Sequence, residues 1–289
     1  MHLVFKILIN FLGMSIFGMG SNFLMLPNSV KQIAVGNHST IDGVSPINPA
    51  LFSVEEKQSN IQVSRGIWIG DINLVNIGFN QALNNKVFHF GVNYSGLTGF
   101  EYRENRPEDL PKSYFSSYGL LLKSGFSIKN TRNSFGISLS YLKIGIETQE
   151  TNGLGINLGY AYQFNHLLKI GFSLENIGYF NEINSKRITL PARLTSTISS
   201  KLLPDKYNST IYGSIEWDSN IIDNKYLLGL STNWKNFNLF NGFLISKNIK
   251  EFSAGFSIKT NSIDIGYGKK FSSHNLGSPQ IISFKIYLP

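Results

Sequence analysis

Apolar and polar residues alternate with a period of two along most of this chain, from about residue 60 to the C-terminus. In residues 252–259, Phe252 and Phe256 fall on one side, and Ser253 and Ser257 fall on the other. Successive side chains of a β-strand point to opposite faces, so such a segment forms a strand with one apolar and one polar face. The pattern predicts a sheet that separates an apolar environment from a polar one.

About fourteen such strands follow one another between residues 60 and 288. The connections after even-numbered strands are short and rich in asparagine, as at Asn84-Asn85, whereas residues 98–113, 180–189 and 219–224 form longer connections after odd-numbered strands. Asparagine tolerates the positive φ of tight hairpin turns. An even strand count with short and long connections at opposite ends is typical of outer-membrane barrels. We therefore predict an all-β fold, a closed antiparallel transmembrane β-barrel of about 14 strands with an N-terminal plug inside the lumen.

Composition agrees with a barrel. Charged residues make up 15% of the chain and aromatic residues 13%, whereas soluble proteins average about 25% charged residues. The chain has no cysteine, so it contains no disulfide. The net charge of +8 comes from scattered lysines, and we therefore expect no nucleic-acid partner.

The first twenty residues resemble a targeting element, with a basic start, an apolar run over residues 7–17 and small residues before position 21. We predict a signal peptide at 1–20, a plug at 21–59 and a barrel at 60–289, located in the bacterial cell outer membrane. An uncleaved anchor is the alternative for the first segment, although its apolar run is too short to span a bilayer.

Residues 21–59 do not alternate. Residues 30–34 form a candidate short helix capped by Asn28 or Ser29, and glycines and prolines break the chain after it. Asn48-Pro49-Ala50 is either a plug motif that docks against the inner wall or a turn that leads into the first strand. We predict that this segment folds inside the lumen, because residues without strand alternation do not fit on the lipid-facing exterior of a barrel.

Several ionisable residues fall on the polar faces of the strands and are predicted to point into the lumen. They either brace the plug through salt bridges or line a polar passage, since unpaired buried charges are costly. The set is His89, Lys123, Lys169, Glu175, Glu216, Asp218, Lys259 and Lys285. Arg65 and Lys143 instead fall on apolar faces, where a mid-bilayer charge costs about 2–4 kcal/mol, so each needs a bulge, a kink or a place near the rim.

We find no catalytic constellation. A hydrolase needs a serine, a base and an orienting acid within hydrogen-bond reach, and His89 with Ser138 and Ser140 does not meet that requirement. His38, His166 and His274 lack metal-ligand spacing. We therefore expect no enzyme activity, no cofactor and no metal.

Short motifs in a fixed order resemble the PorV/PorQ family of the type IX secretion system, with PorQ the nearer member. They are residues 23–30 (FLMLPNSV), 34–36 (AVG), 48–50 (NPA), 68–72 (WIGDI), 176–178 (NIG), 190–191 (LP) and 193–194 (RL). That family is related to the long-chain fatty acid channel FadL, a fourteen-stranded barrel with an N-terminal plug. The resemblance implies a non-enzymatic barrel that binds secretion cargo or partner proteins for export or cell-surface attachment.

Two functions stay open at this point. The first is the secretion role, with outer-membrane lipid, lipopolysaccharide and secretion-system proteins or cargo as partners. The second is a FadL-like transporter of hydrophobic small molecules, with a hydrophobic ligand and a gap in the wall near Gly66. A soluble periplasmic β-sandwich is the structural alternative, and it requires the aromatic faces to pair between two sheets.

Overall fold

The structure is a computed structural model that describes residues 20–52, 58–102, 109–182, 188–202, 208–272 and 277–288. Fourteen antiparallel strands make up most of these residues. They are β1 (Asn60–Ile67), β2 (Asn73–Leu83), β3 (Lys86–Tyr102), β4 (Ser113–Lys129), β5 (Asn133–Ile146), β6 (Gln149–Gln163), β7 (Leu168–Phe180), β8 (Arg193–Leu202), β9 (Asn208–Asp218), β10 (Ile221–Trp234), β11 (Phe237–Ile245), β12 (Lys250–Lys259), β13 (Ile263–Ser272) and β14 (Gln280–Tyr287).

The strands form one closed barrel. Each strand pairs with its neighbours in sequence, and β1 pairs with β14 in an unbroken antiparallel register from Asn60 opposite Tyr287 to Ile67 opposite Gln280. Closure leaves no free sheet edge. The predicted fourteen-stranded antiparallel barrel is confirmed, and the two-sheet sandwich is excluded.

The two faces of the barrel differ as the alternation predicts. On β12, Phe252 and Phe256 point outward and are 47% and 45% exposed, whereas Ser253 and Ser257 point inward and are each 5% exposed. The same outward aliphatic and aromatic belt runs round the other strands. The hydrocarbon side chains therefore face away from the barrel axis, and small polar side chains face the interior.

Connections of different length lie at the two ends of the barrel. The end bearing the turns at 84–85, 130–132 and 235–236 is here named the turn end, and the opposite end, where β4, β8 and β14 begin, is named the loop end. The long connection predicted at 219–224 is wrong, because β10 begins at Ile221. Asn220 donates its backbone N–H to Asp218 Oδ1 at 3.0 Å, which closes a two-residue turn.

Arg65 and Lys143 both point outward near the loop end. The pairing of β1 is regular through Arg65, which lies two residues before the strand ends, so no bulge forms at Gly66. Lys143 lies three residues before the end of β5 and forms an ion pair with Glu150 at 2.7 Å. Both charges are accommodated by a position near the rim.

Residues 20–52 fold inside the ring of strands. They form the helix α1 (Val30–Val35) and 3-10 helices at Ser21–Met25 and Pro49–Leu51, and a further 3-10 helix, Ile69–Asp71, connects β1 to β2. No helix among the described residues is both long and apolar enough to cross a bilayer. The predicted signal peptide lies outside the described residues except for Gly20, and so do residues 53–57 of the predicted plug.

Candidate functional site

The N-terminal segment 20–52, here called the plug, lies inside the lumen and is the centre of the candidate site. Its helix α1 begins at a cap in which Ser29 Oγ accepts a hydrogen bond from the Gln32 N–H at 3.3 Å, and it ends at Gly36, where φ is 109°. Serine at the N-cap and glycine after the last turn are the residues these positions favour. The predicted short helix is confirmed, with Ser29 as its cap.

Helix α1 lies against a row of wall glycines on four neighbouring strands. A β-carbon at Gly255 of β12 would lie 2.7 Å from Ala34 Cβ, and one at Gly242 of β11 would lie 2.6 Å from the Val35 carbonyl oxygen. Gly229 and Gly268 are in equally close contact with the helix on β10 and β13. Real β-carbons do not approach so closely, so the absence of side chains here makes room for the plug.

The Asn48-Pro49-Ala50 motif docks on the opposite wall. Asn48 is fully buried, and its Nδ2 donates to the carbonyl oxygens of Ser39 at 2.7 Å and of Tyr160 at 3.0 Å, while its Oδ1 accepts from the Ala50 N–H at 3.0 Å. One asparagine side chain thus joins two parts of the plug to β6. The motif is both a turn and a contact with the inner wall.

A buried chain of hydrogen bonds fixes the middle of the plug. His38 Nε2 donates to the Val35 carbonyl oxygen at 3.1 Å, so its Nδ1 accepts from Ser214 Oγ at 2.5 Å. Burial lowers the pKa of His38 to about 4, because a charged imidazolium would lose its hydration. Beside it, Ser39 Oγ lies 2.8 Å from Ser173 Oγ on β7. The neutral His38 side chain is therefore part of the contact between the plug and the barrel wall.

His89 supports the last described turn of the plug. Its ring stacks on Phe52 with a centroid separation of 4.4 Å, and its Nδ1 donates to Asn80 Oδ1 at 2.7 Å. His89 is 3% exposed. The residue contacts the plug and does not line an open passage.

A balanced cluster of charges occupies the inner wall toward the loop end. Arg193 donates to both carboxylate oxygens of Glu175 at 2.6 and 3.2 Å, and Lys225 Nζ lies 3.0 Å from Glu216 and 2.8 Å from Asp218. Lys123 interacts electrostatically with the Glu175–Arg193 pair. Bidentate pairing of this kind offsets the cost of burying the charges.

A bulge in β7 lies directly after Glu175. The register of β6 and β7 shifts so that Glu175 and Asn176 both lie opposite Asn157, and Asn176 takes a φ of 60°. The Asn176 N–H donates to Asn157 Oδ1 at 2.7 Å, and its Nδ2 donates to the Pro191 carbonyl oxygen at 3.1 Å. Alternation alone does not predict two successive inward residues, so it would place Asn176 on the outer face, whereas Asn176 is buried. Arg193 on β8 and Lys225 on β10 were not among the predicted site residues.

Apolar side chains line the lumen near the loop end. Leu121, Leu142, Ile144 and Phe180 point inward and pack with Phe23 of the plug. A β-carbon at Gly119 would lie 2.5 Å from Phe23 Cγ, so the aromatic ring is seated directly on the wall backbone. The plug therefore inserts a phenyl ring into an apolar recess of the barrel.

The turn end of the lumen is polar and holds two cavities of about 360 and 260 Å³. Both are bounded by Asp42, Gln163, Lys169 and Lys201, so they adjoin each other. The larger is also lined by Lys259 and Lys285, whose ammonium groups lie 4.6 and 4.4 Å from the Tyr287 ring centroid.

The predicted site residues therefore separate into three groups. Lys123, Glu175, Glu216 and Asp218 belong to the charge cluster, and His89 contacts the plug. Lys169, Lys259 and Lys285 line the cavities at the turn end.

The wall near Gly66 is closed. A β-carbon at Gly66 would lie 2.5 Å from the Gln280 carbonyl oxygen, and pairing with β2 and β14 continues on both sides. A cavity of about 20 Å³ between Phe23, Tyr94 and Arg65 is the space found at this point, and it holds no more than one water molecule. The expected gap in the wall is therefore not seen among the described residues.

Among the residues that the structure describes, no group of three or more histidine, aspartate or glutamate side chains is placed to hold a metal ion. The lumen offers hydrophobic contact near the loop end, a balanced charge cluster behind it and a polar chamber at the turn end.

A plugged, closed barrel of fourteen strands is the architecture of FadL-type outer-membrane channels. Solved structures of that type are similar to this chain: the deltaS2S3 mutant of the monoaromatic hydrocarbon channel TodX has a TM-score of 0.66 at 12% identity, covering 90% of this chain and 99% of its own. The monoaromatic hydrocarbon channel CymD has a TM-score of 0.65 at 13% identity, with 91% and 97% covered. The toluene transporter TbuX of Ralstonia pickettii has a TM-score of 0.61 at 13% identity, with 92% and 99% covered.

These similarities correct the family prediction. The structural neighbours are hydrocarbon and FadL-type transporters, including a FadL homologue of Pseudomonas aeruginosa, and they are not PorV or PorQ. No family model and no curated protein matches the chain. The predicted PorV/PorQ identity is therefore wrong, and the type IX secretion and cell-surface attachment role has no support. The neighbours are channels and not enzymes.

Proposed function

We propose that this protein is an outer-membrane channel that admits small hydrophobic molecules through its plugged lumen. The fold shared with TodX, CymD and TbuX supports the proposal. In barrels of this class the tight turns face the periplasm, so the turn end is the periplasmic end and the loop end faces outward, toward lipopolysaccharide. The outward belt of aromatic and aliphatic residues is then in contact with membrane lipid.

The observation that supports the proposal most strongly is the packing of the Phe23 ring in an apolar recess of the inner wall. Its phenyl ring is 7% exposed and packs among inward-facing Leu121, Leu142 and Phe180. Dry cavities lined by such residues bind benzene when they reach about 150 Å³. Removing the ring would vacate a recess of the shape and polarity that a monoaromatic solute needs, so the plug occupies the place where a hydrophobic substrate would bind.

Passage requires the plug to move. The apolar recess is filled by Phe23, and α1 closes the lumen behind it against the glycine row. A hydrophobic solute that displaces the ring exchanges one apolar contact for another, so the exchange costs little free energy. A sugar or an ion gains no such contact and is excluded.

The test is uptake by cells of a Gram-negative host that lacks channels of this type. We expect the barrel to raise the initial uptake of radiolabelled toluene and to leave lactose uptake unchanged. Phe23→Ala should raise toluene uptake severalfold further, because the recess is then empty. Phe90→Ala, which removes an outward-facing aromatic ring, is the matched control and should behave as the parent chain. Equal entry of lactose, or no gain for toluene, contradicts the proposal.

A further inference from the structure

Arg65 is a charged residue on the outer face of the barrel, and transport through the lumen gives it no role. It lies on the outward face of β1 between Val63 and Ile67, and all three side chains are exposed. A basic side chain on the lipid face is strongly destabilising at the middle of the bilayer and costs little near its interfaces. The guanidinium of Arg65 is therefore expected at the depth of the lipid headgroups.

Two tyrosines indicate the same depth. Across the paired strands, the row that contains Arg65 passes through Val75 to Tyr94 on β3. In the other direction it passes through Ile282 to Tyr267 on β13. Aromatic residues form girdles at the two interfaces of a membrane barrel, where a tyrosine ring contacts hydrocarbon and its hydroxyl contacts water. Arg65 thus lies midway between two residues typical of a girdle.

Polar side chains adjoin Arg65 on the side nearer the loop end. Asn73 of β2 and Gln280 of β14 are both paired with Ile67, the next outward residue of β1. Lys269 of β13 is in turn paired with Gln280. Directly paired residues lie on the same face of a sheet, so all of these side chains point outward. Arg65, Asn73, Lys269 and Gln280 are here named the outer patch.

The two cations of the outer patch face the same area of membrane. Lys269 lies two strands from Arg65 and two residues further toward the loop end, so their Cα atoms are about 12 Å apart. The Lys269 ammonium group lies 5.3 Å from the centroid of the Phe271 ring, which holds the long side chain against the outer face. Between the two cations, Gln280 Oε1 accepts a hydrogen bond from the Tyr267 hydroxyl at 2.8 Å.

Carboxylates of the described residues do not form ion pairs with these two cations, Asp71 on the β1–β2 connection included. Lys143 lies on the same row of paired residues as Arg65 and differs, because it forms an ion pair with Glu150 at 2.7 Å. The connection from β13 to β14, which adjoins the outer patch in sequence, contains no aspartate or glutamate. The outer patch therefore presents its positive charge to the membrane surface.

We propose that the outer patch binds the phosphorylated headgroup of a lipopolysaccharide molecule in the outer leaflet. This inference rests on the outward orientation of the loop end, which is part of the proposed function. The lipid A headgroup carries phosphates at both ends of a disaccharide, so one phosphate can accept bidentate hydrogen bonds from Arg65 while the other pairs with Lys269. The side-chain amides of Asn73 and Gln280 lie beside the cations and can bond to sugar hydroxyls.

Native mass spectrometry of the full barrel in neutral detergent measures this binding. The probes are lipid A with both phosphates, its monophosphoryl form, and phosphatidylglycerol. We expect the bisphosphoryl form to bind most tightly and phosphatidylglycerol least tightly. Arg65→Gln with Lys269→Gln should weaken binding of bisphosphoryl lipid A about 30-fold, because each basic residue at an anionic membrane surface contributes about fivefold.

Matched variants separate a site from general attraction. Arg65→Gln alone should weaken binding about fivefold, whereas Lys143→Gln, on the same row but already paired, should bind lipid A as the parent chain does. Lys86→Gln with Lys235→Asn removes two exposed charges from the turn end and is the control for the double variant. Heat-modifiable migration on gels confirms that each variant is a folded barrel.

Equal losses of affinity in Arg65→Gln and Lys143→Gln would overturn the proposal. Equal affinity for phosphatidylglycerol and bisphosphoryl lipid A would also overturn it, since either result indicates charge attraction without a site. The chain has no cysteine of its own, so Asn224→Cys near the loop end tests the orientation by labelling of intact cells with an impermeant maleimide. Absence of labelling would remove the orientation that the site requires. Toluene uptake is measured separately, so failure of the channel function and failure of the lipid site give different results.

Discussion

Replacing Gly159 by alanine should release the Asn48-Pro49-Ala50 motif from the wall. A β-carbon at Gly159 would overlap Asn48 Oδ1 and would lie 2.8 Å from the Ala50 nitrogen. Neither neighbour is a flexible side-chain end, because Asn48 is held by three hydrogen bonds and the nitrogen is backbone. The motif must therefore move away from β6.

The size of the effect follows from the bonds that are lost. Asn48 would lose its hydrogen bond to the Tyr160 carbonyl oxygen. Its bonds within the plug, to the Ser39 carbonyl oxygen and from the Ala50 N–H, require the same side-chain position and would be lost with it. Each buried hydrogen bond contributes about 1 kcal/mol net, and each orphaned buried group costs about 1–3 kcal/mol. We expect plug docking to weaken by about 3 kcal/mol, which is roughly a hundredfold in the docking equilibrium.

Hydrogen exchange followed by mass spectrometry measures this change. The Ser39 N–H donates to Thr197 and the Ala50 N–H donates to Asn48, so both amides report docking. Their protection should fall about a hundredfold in Gly159→Ala. Gly155→Ala on the same strand is the control, because its β-carbon would meet neighbours at an ordinary 3.7 and 3.8 Å. Equal protection in the two variants, with intact strand amides, would refute the reasoning.

Two further predictions concern buried charge. The pKa of His38 is lowered to about 4 in the docked plug, against 6.5 for a solvated histidine. Docking is therefore strongest above pH 6.5 and should weaken by about 2–3 kcal/mol as the pH falls to 4.5. Hydrogen exchange of the plug amides at both pH values measures this change, and His38→Gln should remove the pH dependence. Arg193→Met should lower barrel stability by about 3–5 kcal/mol in urea unfolding, because Glu175 is left buried without its partner. Lys143→Met, at the exposed pair with Glu150, should leave stability nearly unchanged.

The barrel was predictable from the sequence because the patterns that specify its strands and turns lie within short segments of the chain. Alternation with a period of two places Phe252 and Ser253 on opposite faces, and asparagine-rich turns limit the connections, so strand number and facing follow from short segments. The Ser29 cap of α1 is local in the same sense. Such features need no knowledge of distant contacts.

The arrangement of the lumen depends on distant contacts and was not predictable in this way. The bulge at Asn176 changes which residues of β7 face inward after Glu175, and the contact of Glu175 with Arg193 depends on the register of β7 against β8. The glycine row under α1 becomes visible only when four strands are in register. The family prediction failed for a related reason: residues 48–50 and the Ser29 cap perform structural tasks that any plugged barrel needs, so they indicate a fold and carry no information about cargo.

The most direct test of the account is to lock the plug and measure uptake. Ser39→Cys with Ser173→Cys replaces two hydroxyls 2.8 Å apart, one on the plug and one on β7, and oxidation should join them. Ser64→Cys with Ser283→Cys, also 2.8 Å apart but both on the wall, is the matched control. We predict that oxidation stops toluene uptake in the first variant, that reduction restores it, and that the control is unaffected. Unchanged uptake with the plug locked would contradict passage through the lumen.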